Sequence, residues 1–154
     1  MTTTHFEVTV VTSPAHSPQD RAFYPHWHTI PIRHADLDEL DHVNNVVFAV
    51  YCEEARRHLY SPMSAIQHSH GAMIFVVRLS IDFHREMTFP GTVEVGTAIT
   101  KLGNSSFTMT QGLFTEHGFH ATAEVVTVVV NRDTRRSMPI PQPLRDYFAG
   151  CSRG

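Results

Sequence analysis

A chain of 154 residues, 42% hydrophobic and 18% charged, is long enough for one domain whose core needs neither disulfides nor a metal staple. A formal charge of −3 gives no footprint for nucleic acid or for a polybasic membrane surface, so the expected partners are small molecules and copies of the same chain. Cys52 and Cys151 do not suggest a disulfide scaffold, and with no basic start or apolar h-region at the N-terminus a cytoplasmic setting is expected.

Residues 1–26 mix short apolar pieces with Pro14, Pro18 and Pro25 and read as an irregular N-terminal extension, with room for a short strand at Phe6–Val11. A first core strand is expected over Trp27–His34, at an edge or on a bulge, because Pro31 has no ladder donor. The run Val46–Cys52 is apolar without a period, but Glu53–Tyr60 continues it with strong helix formers and a Glu53/Arg57 pair at i, i+4. This predicts a helix over Asn44–Tyr60, about 25 Å long, apolar nearly all round at its start and therefore buried. Pro62 marks its stop.

Four strand-like segments follow. From Met73 to Phe83 the alternation puts Met73, Phe75, Val77, Leu79, Ile81 and Phe83 on one face, opposite Arg78, Ser80, Asp82 and His84. Turns at Pro90-Gly91, Gly103-Asn104 and His117-Gly118 separate strands over Thr92–Leu102, Ser106–Glu116 and Phe119–Asn131, an antiparallel meander. A proline-rich link then opens a short helix around Leu144–Phe148, with Gly150 past its end. One buried helix against an antiparallel sheet is an α+β arrangement in which the sheet's apolar face wraps the helix.

The chemistry is concentrated in Ile32–Arg57, where Arg33 and the D-x-D pair Asp36 and Asp38 precede a turn and His42-Val43-Asn44-Asn45 at the helix start. Carboxylates beside the free N–H groups of a helix terminus supply a base or nucleophile and donors for a developing oxyanion, two requirements of acyl transfer. By residue type alone, Asp36, Asp38 and Asp41 read as loop and cap residues, the usual place of aspartates before a helix. The crowding of His26, His28, His34, Asp36, Asp38 and His42 raises the question of a metal, but no spacing matches a zinc pattern and no G-x-S-x-G elbow is present, so neither metal nor cofactor is expected.

The ordered set of D-x-D, H-V-N-N and a helix carrying Glu53-Glu54-Ala55-Arg56 resembles the opening of the hotdog-fold acyl-CoA thioesterases of the 4-hydroxybenzoyl-CoA thioesterase type. The similarity continues through Val77–Phe83, Leu102–Ser106 and Pro139–Pro141. It implies a hotdog domain over residues 27–150, an antiparallel sheet around a long central helix, joined edge to edge into a homodimer or homotetramer with active sites at the dimer interface. The implied activity is hydrolysis of an acyl-CoA. The alternatives are an acyl-carrier-protein thioesterase and a non-catalytic hotdog domain that binds an acyl or aromatic ligand.

The resemblance singles out Asp38 as base or nucleophile, with Asn45 orienting the reacting group and His42 beside them. Oxyanion donors are expected near Asn44 and Val46, an acyl pocket from Phe48, Tyr51 and Phe83, and a carrier contact at Ser106. Asp36 is expected to position the loop, and Arg33 to pair with one of the acids. Two departures stand out. Asp41 replaces a family glycine, adding a like charge expected to shift or weaken activity, and the Leu102–Ser106 turn has only Lys101 nearby for coenzyme A phosphates; Arg132, Arg135 and Arg136 form a separate basic group.

Overall fold

The structure, a computed structural model, describes residues 16–152, so the expected strand at Phe6–Val11 lies outside the described residues. Strands β1 (His26–Pro31), β2 (Ala72–Phe83), β3 (Thr92–Leu102), β4 (Ser106–Thr115) and β5 (Gly118–Asn131) form one antiparallel sheet in the order β1-β3-β4-β5-β2. Helix α1 (Asn45–Tyr60) packs on the inner face over β1 and β3. This is the hotdog architecture that the pattern and the resemblance predicted.

Alternation decides which face of β5 packs inward. Ala121, Ala123, Val125, Thr127 and Val129 are buried toward the helix, while the residues between them look outward. Two clusters fill the space beneath α1. One surrounds its N-terminal half, with Phe48, Tyr51, Met87, Val93 and Leu113; the other surrounds its C-terminal end, with Leu59, Met63, Phe107, Leu144 and Phe148. The second is closed by α3 (Gln142–Gly150), longer than the expected Leu144–Phe148 and including Gly150 rather than stopping before it.

Several boundaries differ from the sequence reading for identifiable reasons. β1 ends at Pro31 rather than His34, because the Ile32 N–H turns away to Gly91 O at 2.9 Å and Arg33 N–H to the Asp36 carboxylate at 2.8 Å. Its edge position is as expected. Pro62 ends α1 but not the helical path: it sits in a 3-10 turn (Ser61–Met63), where its missing N–H is harmless, and the chain continues into α2 (Ser64–Ser69).

The single apolar face expected for β2 is corrected more deeply. The register slips between Val76 and Arg78, leaving Val77 as an unpaired extra residue 60% exposed. Cross-strand partners then place Ile74, Val76, Leu79, Ile81 and Phe83 opposite inward-facing β5 residues, while Phe75, paired with Val128, faces outward, where the Arg135 guanidinium carbon lies 5.5 Å from its ring centre. One inserted residue flips every side chain beyond it. The start of α1 is likewise not buried all round: Val46 is 67% exposed and Val50 42%, because the helix leans on β1 and β3 and leaves its β2 flank open.

The outer face carries a cover of its own. Phe23 and Tyr24 pack with Ala98 and Phe114, Arg21 lies 4.3 Å over the Trp27 ring and reaches Glu94 at 2.9 Å, and the Tyr24 hydroxyl donates to Pro18 O at 2.6 Å. Tyr24 fits only because Gly96 and Gly112 have no side chain: a Cβ on either would sit 2.5 Å from its ring or hydroxyl. Gly112→Ala is therefore expected to cost ~1–3 kcal/mol as overpacking, read as a lower urea midpoint with the denaturant slope unchanged.

Candidate active site

The loop between β1 and α1 is a miniature hairpin. Leu37 bridges to Val43, Asp38 N–H donates to His42 O at 2.8 Å, and Asp41 N–H donates to Asp38 O at 3.1 Å. Asp41 takes the left-handed backbone at φ 59°, the conformation a glycine would occupy without strain, so aspartate preserves the turn. It does not cap the helix; Asn44 does, its Oδ1 accepting from Val46 N–H at 3.0 Å.

Asp36 anchors this loop. Its buried carboxylate accepts from Arg33 N–H at 2.8 Å, from Arg33 Nη2 at 2.7 Å and from the Tyr51 hydroxyl at 2.8 Å, while its backbone oxygen accepts from Asn44 N–H at 2.8 Å. One residue thus ties the end of β1, the core of α1 and the helix N-terminus together. Burial pushes the Asp36 carboxyl up, but the Arg33 side chain, the Arg33 N–H and the Tyr51 hydroxyl outweigh it and hold the group below the usual carboxylate range. The Tyr51 hydroxyl is pushed well up by burial and by Asp36.

Asp38 is held differently. One oxygen, Oδ1, accepts from Leu40 N–H at 2.9 Å and His42 N–H at 3.3 Å; Oδ2 has no hydrogen-bond partner among the described residues. The carboxylate is oriented yet keeps a free acceptor. At the helix head, Val46 N–H is taken by Asn44 Oδ1 and Val47 N–H by Asn44 O, so Asn45 N–H is the donor left without a partner among the described residues. The Asn45 side chain is exposed.

The chain brings Asp38, His42, Asn44, Asn45 and Val46 into one short stretch of loop and helix start. Phe48 is buried below them and meets the half-exposed Phe83 edge-on at 5.2 Å. Tyr51, 1% exposed, spends its hydroxyl on Asp36. Ser106 is set apart. It lies on the outer face beside Arg78, Lys101 and Thr108 in a groove of about 500 Å³, and its neighbour Phe107 belongs to the cluster at the other end of α1.

The loop is supported from behind. Val43 N–H donates to Met87 O at 2.8 Å and His42 bridges to Thr88, while the preceding turn is held by His120, whose Nδ1 contacts Glu86 O at 2.8 Å and Nε2 contacts Thr115 Oγ1 at 2.7 Å. Because a carbonyl only accepts, Nδ1 carries the proton and Nε2 receives the Thr115 hydroxyl, an arrangement of the neutral ring. Burial lowers the pKa of His120 and of His26, whose Nε2 is buried without a partner among the described residues. With folded values below the unfolded 6.5, the unfolded state binds more protons as pH falls through that range. Stability is therefore fully present above pH 6.5 and is lost as pH falls toward the folded values; urea midpoints should drop from pH 7 to about pH 5, less so in His120→Gln.

His26 and His28 do not join the loop carboxylates. They line a cavity of about 200 Å³ with Trp27, Thr97 and Tyr147, where His28 stacks on His58 at 4.4 Å. Among the described residues no group of three or more His, Cys, Asp or Glu side chains is placed to hold a metal ion. No helix among them is long and apolar enough to cross a membrane. The residue that sequence reasoning passed over is Arg56, buried against Gln111; its place in the stripe Cys52, Ala55, Arg56, Leu59 was the available signal.

A sheet curled around one long helix, with an oriented carboxylate in the loop that feeds the helix N-terminus, makes this a hotdog domain. The chain belongs to the thioesterase-like superfamily, whose family profile matches residues 32–148. Among solved structures it is similar to the PA5185 protein of Pseudomonas aeruginosa strain PAO1, at 31% identity and TM-score 0.78 over 87% of this chain and 96% of that one. At 17% identity and TM-score 0.75 it shares the fold of the SAV2348 protein of Staphylococcus aureus in complex with CoA, over 83% of this chain and 85% of that one. At 21% identity and TM-score 0.71 it shares that of Slr0204, a 1,4-dihydroxy-2-naphthoyl-CoA thioesterase from Synechocystis, over 80% and 94%. Among curated proteins no relative matches.

Proposed function

We propose that this protein hydrolyses an acyl-CoA thioester to the free acid and CoA, with Asp38 as general base or nucleophile. The observation that carries the reading is the Asp38 carboxylate, fixed by two backbone N–H groups through one oxygen, in the loop that leads into the helix head at Asn45; among the described residues its other oxygen and the Asn45 N–H have no partner. As base, Asp38 takes a proton from water while the hydroxide oxygen bonds to the thioester carbon. The oxyanion is stabilised by Asn45 N–H at the positive end of the helix. The C–S bond then breaks, and the proton passes from Asp38 to the departing thiolate. His42 and the Asn45 side chain orient the water or the carbonyl.

The half-exposed Phe83 beside Phe48, below the loop, is assigned to the acyl group, and the outer groove at Ser106, with Arg78 and Lys101, to the carrier's nucleotide end. A structural relative bound to CoA supports the carrier, and one named for an aroyl-CoA supports the reaction. Two unpaired, buried cysteines accord with a cytoplasmic site of action.

Because Asp38 and Ser106 stand apart in one chain, the complete site needs a second copy. The unpaired edge of β2, with Val76, Val77, Leu79 and Phe83 exposed beside Val46 and Val50 of α1, is the surface it would cover. Purified protein should release thiol from at least one member of an acyl-CoA panel and sediment as a dimer or tetramer at micromolar concentration. A ligand-binding protein that releases no thiol would leave only the binding-domain reading, and a monomer would remove the shared site.

A further inference from the structure

Arg56 is 7% exposed, yet no carboxylate pairs with it among the described residues. Its one side-chain hydrogen bond to a described residue runs from Nη1 to Gln111 Oε1 at 3.1 Å. Gln111, fully buried, is itself spent: its Nε2 donates to Cys52 O and to Thr97 Oγ1, each at 3.1 Å, which aims Oε1 at the guanidinium. Tyr60 lies four residues further along the same helix face, with its hydroxyl buried and without a partner among the described residues. The unfilled valences here are guanidinium N–H groups and a phenol O–H. A cation taken out of water without a counter-charge is strongly unfavourable, and guanidinium N–H groups beside a hydroxyl that can donate are matched by an anion.

The surroundings say where that anion would come from. Arg56 shares the β2-side flank of α1 with Ala49 and with Asn45 of the proposed site, and it reaches over the central strand β4. The sheet beside that flank offers the apolar side chains of Leu79, Ile81 and Phe83. Side chains tilt toward the helix N-terminus, so the guanidinium stands near the level of Cys52, seven residues or ~10 Å from the head of the helix. Apolar side chains beside the helix flank that joins the proposed site to a buried cation suit an acyl chain that ends in a carboxylate.

We propose that Arg56, with the Tyr60 hydroxyl, binds the distal carboxylate of the acyl group, so that the preferred substrates are thioesters of dicarboxylic acids. The free carboxylate would lie ~8 bonds from the thioester carbon at ~1.2 Å per bond of extended chain. This rests on the thioesterase reading of the same site. It makes Arg56 a specificity residue at the end of the substrate remote from the chemistry.

The test compares dicarboxylyl-CoA and monocarboxylyl-CoA substrates of equal length, from four to eight carbons, with wild type, Arg56→Met and Arg56→Lys, and measures thermal shifts with the free diacids alone. Wild type should prefer the dicarboxylyl member by at least ~10-fold in kcat/KM at the longer lengths. Arg56→Met should erase or invert that ratio and abolish the thermal shift with free suberate, while Arg56→Lys keeps part of both. Equal rates for the two series in wild type would overturn the proposal. So would an Arg56→Met protein that loses its oligomeric state, which would assign the missing carboxylate to a second copy. If no acyl-CoA is hydrolysed, the thioesterase reading fails, and the suberate shift in wild type against Arg56→Met still decides whether Arg56 binds a carboxylate.

Discussion

Asp38→Asn is expected to lower the rate of thioester hydrolysis by at least ~100-fold, the usual scale for losing a general base. The substitution is nearly isosteric, and asparagine can still accept from Leu40 N–H and His42 N–H through its amide oxygen, so the loop should keep its shape. What disappears is the carboxylate's capacity to take a proton or to attack. The loss should fall on kcat, with KM little changed, because Asp38 is asked to act in the transition state rather than in substrate binding. Steady-state kinetics on the best substrate of the panel decide it, and full activity in Asp38→Asn would sink the mechanism.

Asp36→Asn should show the opposite balance, with a smaller effect on chemistry and a large one on stability. The substitution leaves the buried Tyr51 hydroxyl and three donors of Arg33, its backbone N–H, Nε and Nη2, facing an amide that can satisfy only part of the set, at an expected cost of ~2–4 kcal/mol. The Arg33 side chain is largely solvated, so most of that cost lies with Tyr51 and the backbone donor. Tyr51→Phe, which removes the donor instead, should cost ~1 kcal/mol. The folded Asp36 carboxyl is depressed, so its contribution is present above the unfolded value of 3.8 and is lost as pH falls through the lower, folded value. Acid unfolding of Asp36→Asn should lack that component. Equal losses of activity in Asp36→Asn and Asp38→Asn, with the fold intact in both, would remove the division between an anchoring and a reacting carboxylate.

Much of this fold is written locally. Turn residues at Pro90-Gly91, Gly103-Asn104 and His117-Gly118 set the lengths of β3, β4 and β5 to within a residue, because proline fixes its φ and glycine admits the positive φ that Gly91 and Gly118 adopt, whatever surrounds them. The helix was legible from Glu53–Tyr60 despite the β-branched run before it, and the order D-x-D, H-V-N-N, E-E-A-R pointed to the family.

What the chain alone did not reveal are features set by neighbours distant in sequence. The bulge at Val77 depends on register against β5, which alternation within one strand cannot report, so Phe75 was placed on the wrong face. The open flank of α1 at Val46 and Val50 follows from the helix leaning on β1 and β3, a tertiary choice invisible to a count of apolar residues. Asp36 and Asp38 have the same side chain two residues apart; the expected anchoring role of Asp36 takes its partners from Arg33 and from Tyr51, fifteen residues on, and the Tyr51 contact exists only in the folded chain. Composition and spacing thus determined which elements form and which loop carries the acids, because those depend on backbone preferences within a few residues. Burial, register and the assignment of each polar group to a partner belonged to the folded chain, because a hydrogen bond or a desolvated charge has no energy until its far partner is in place.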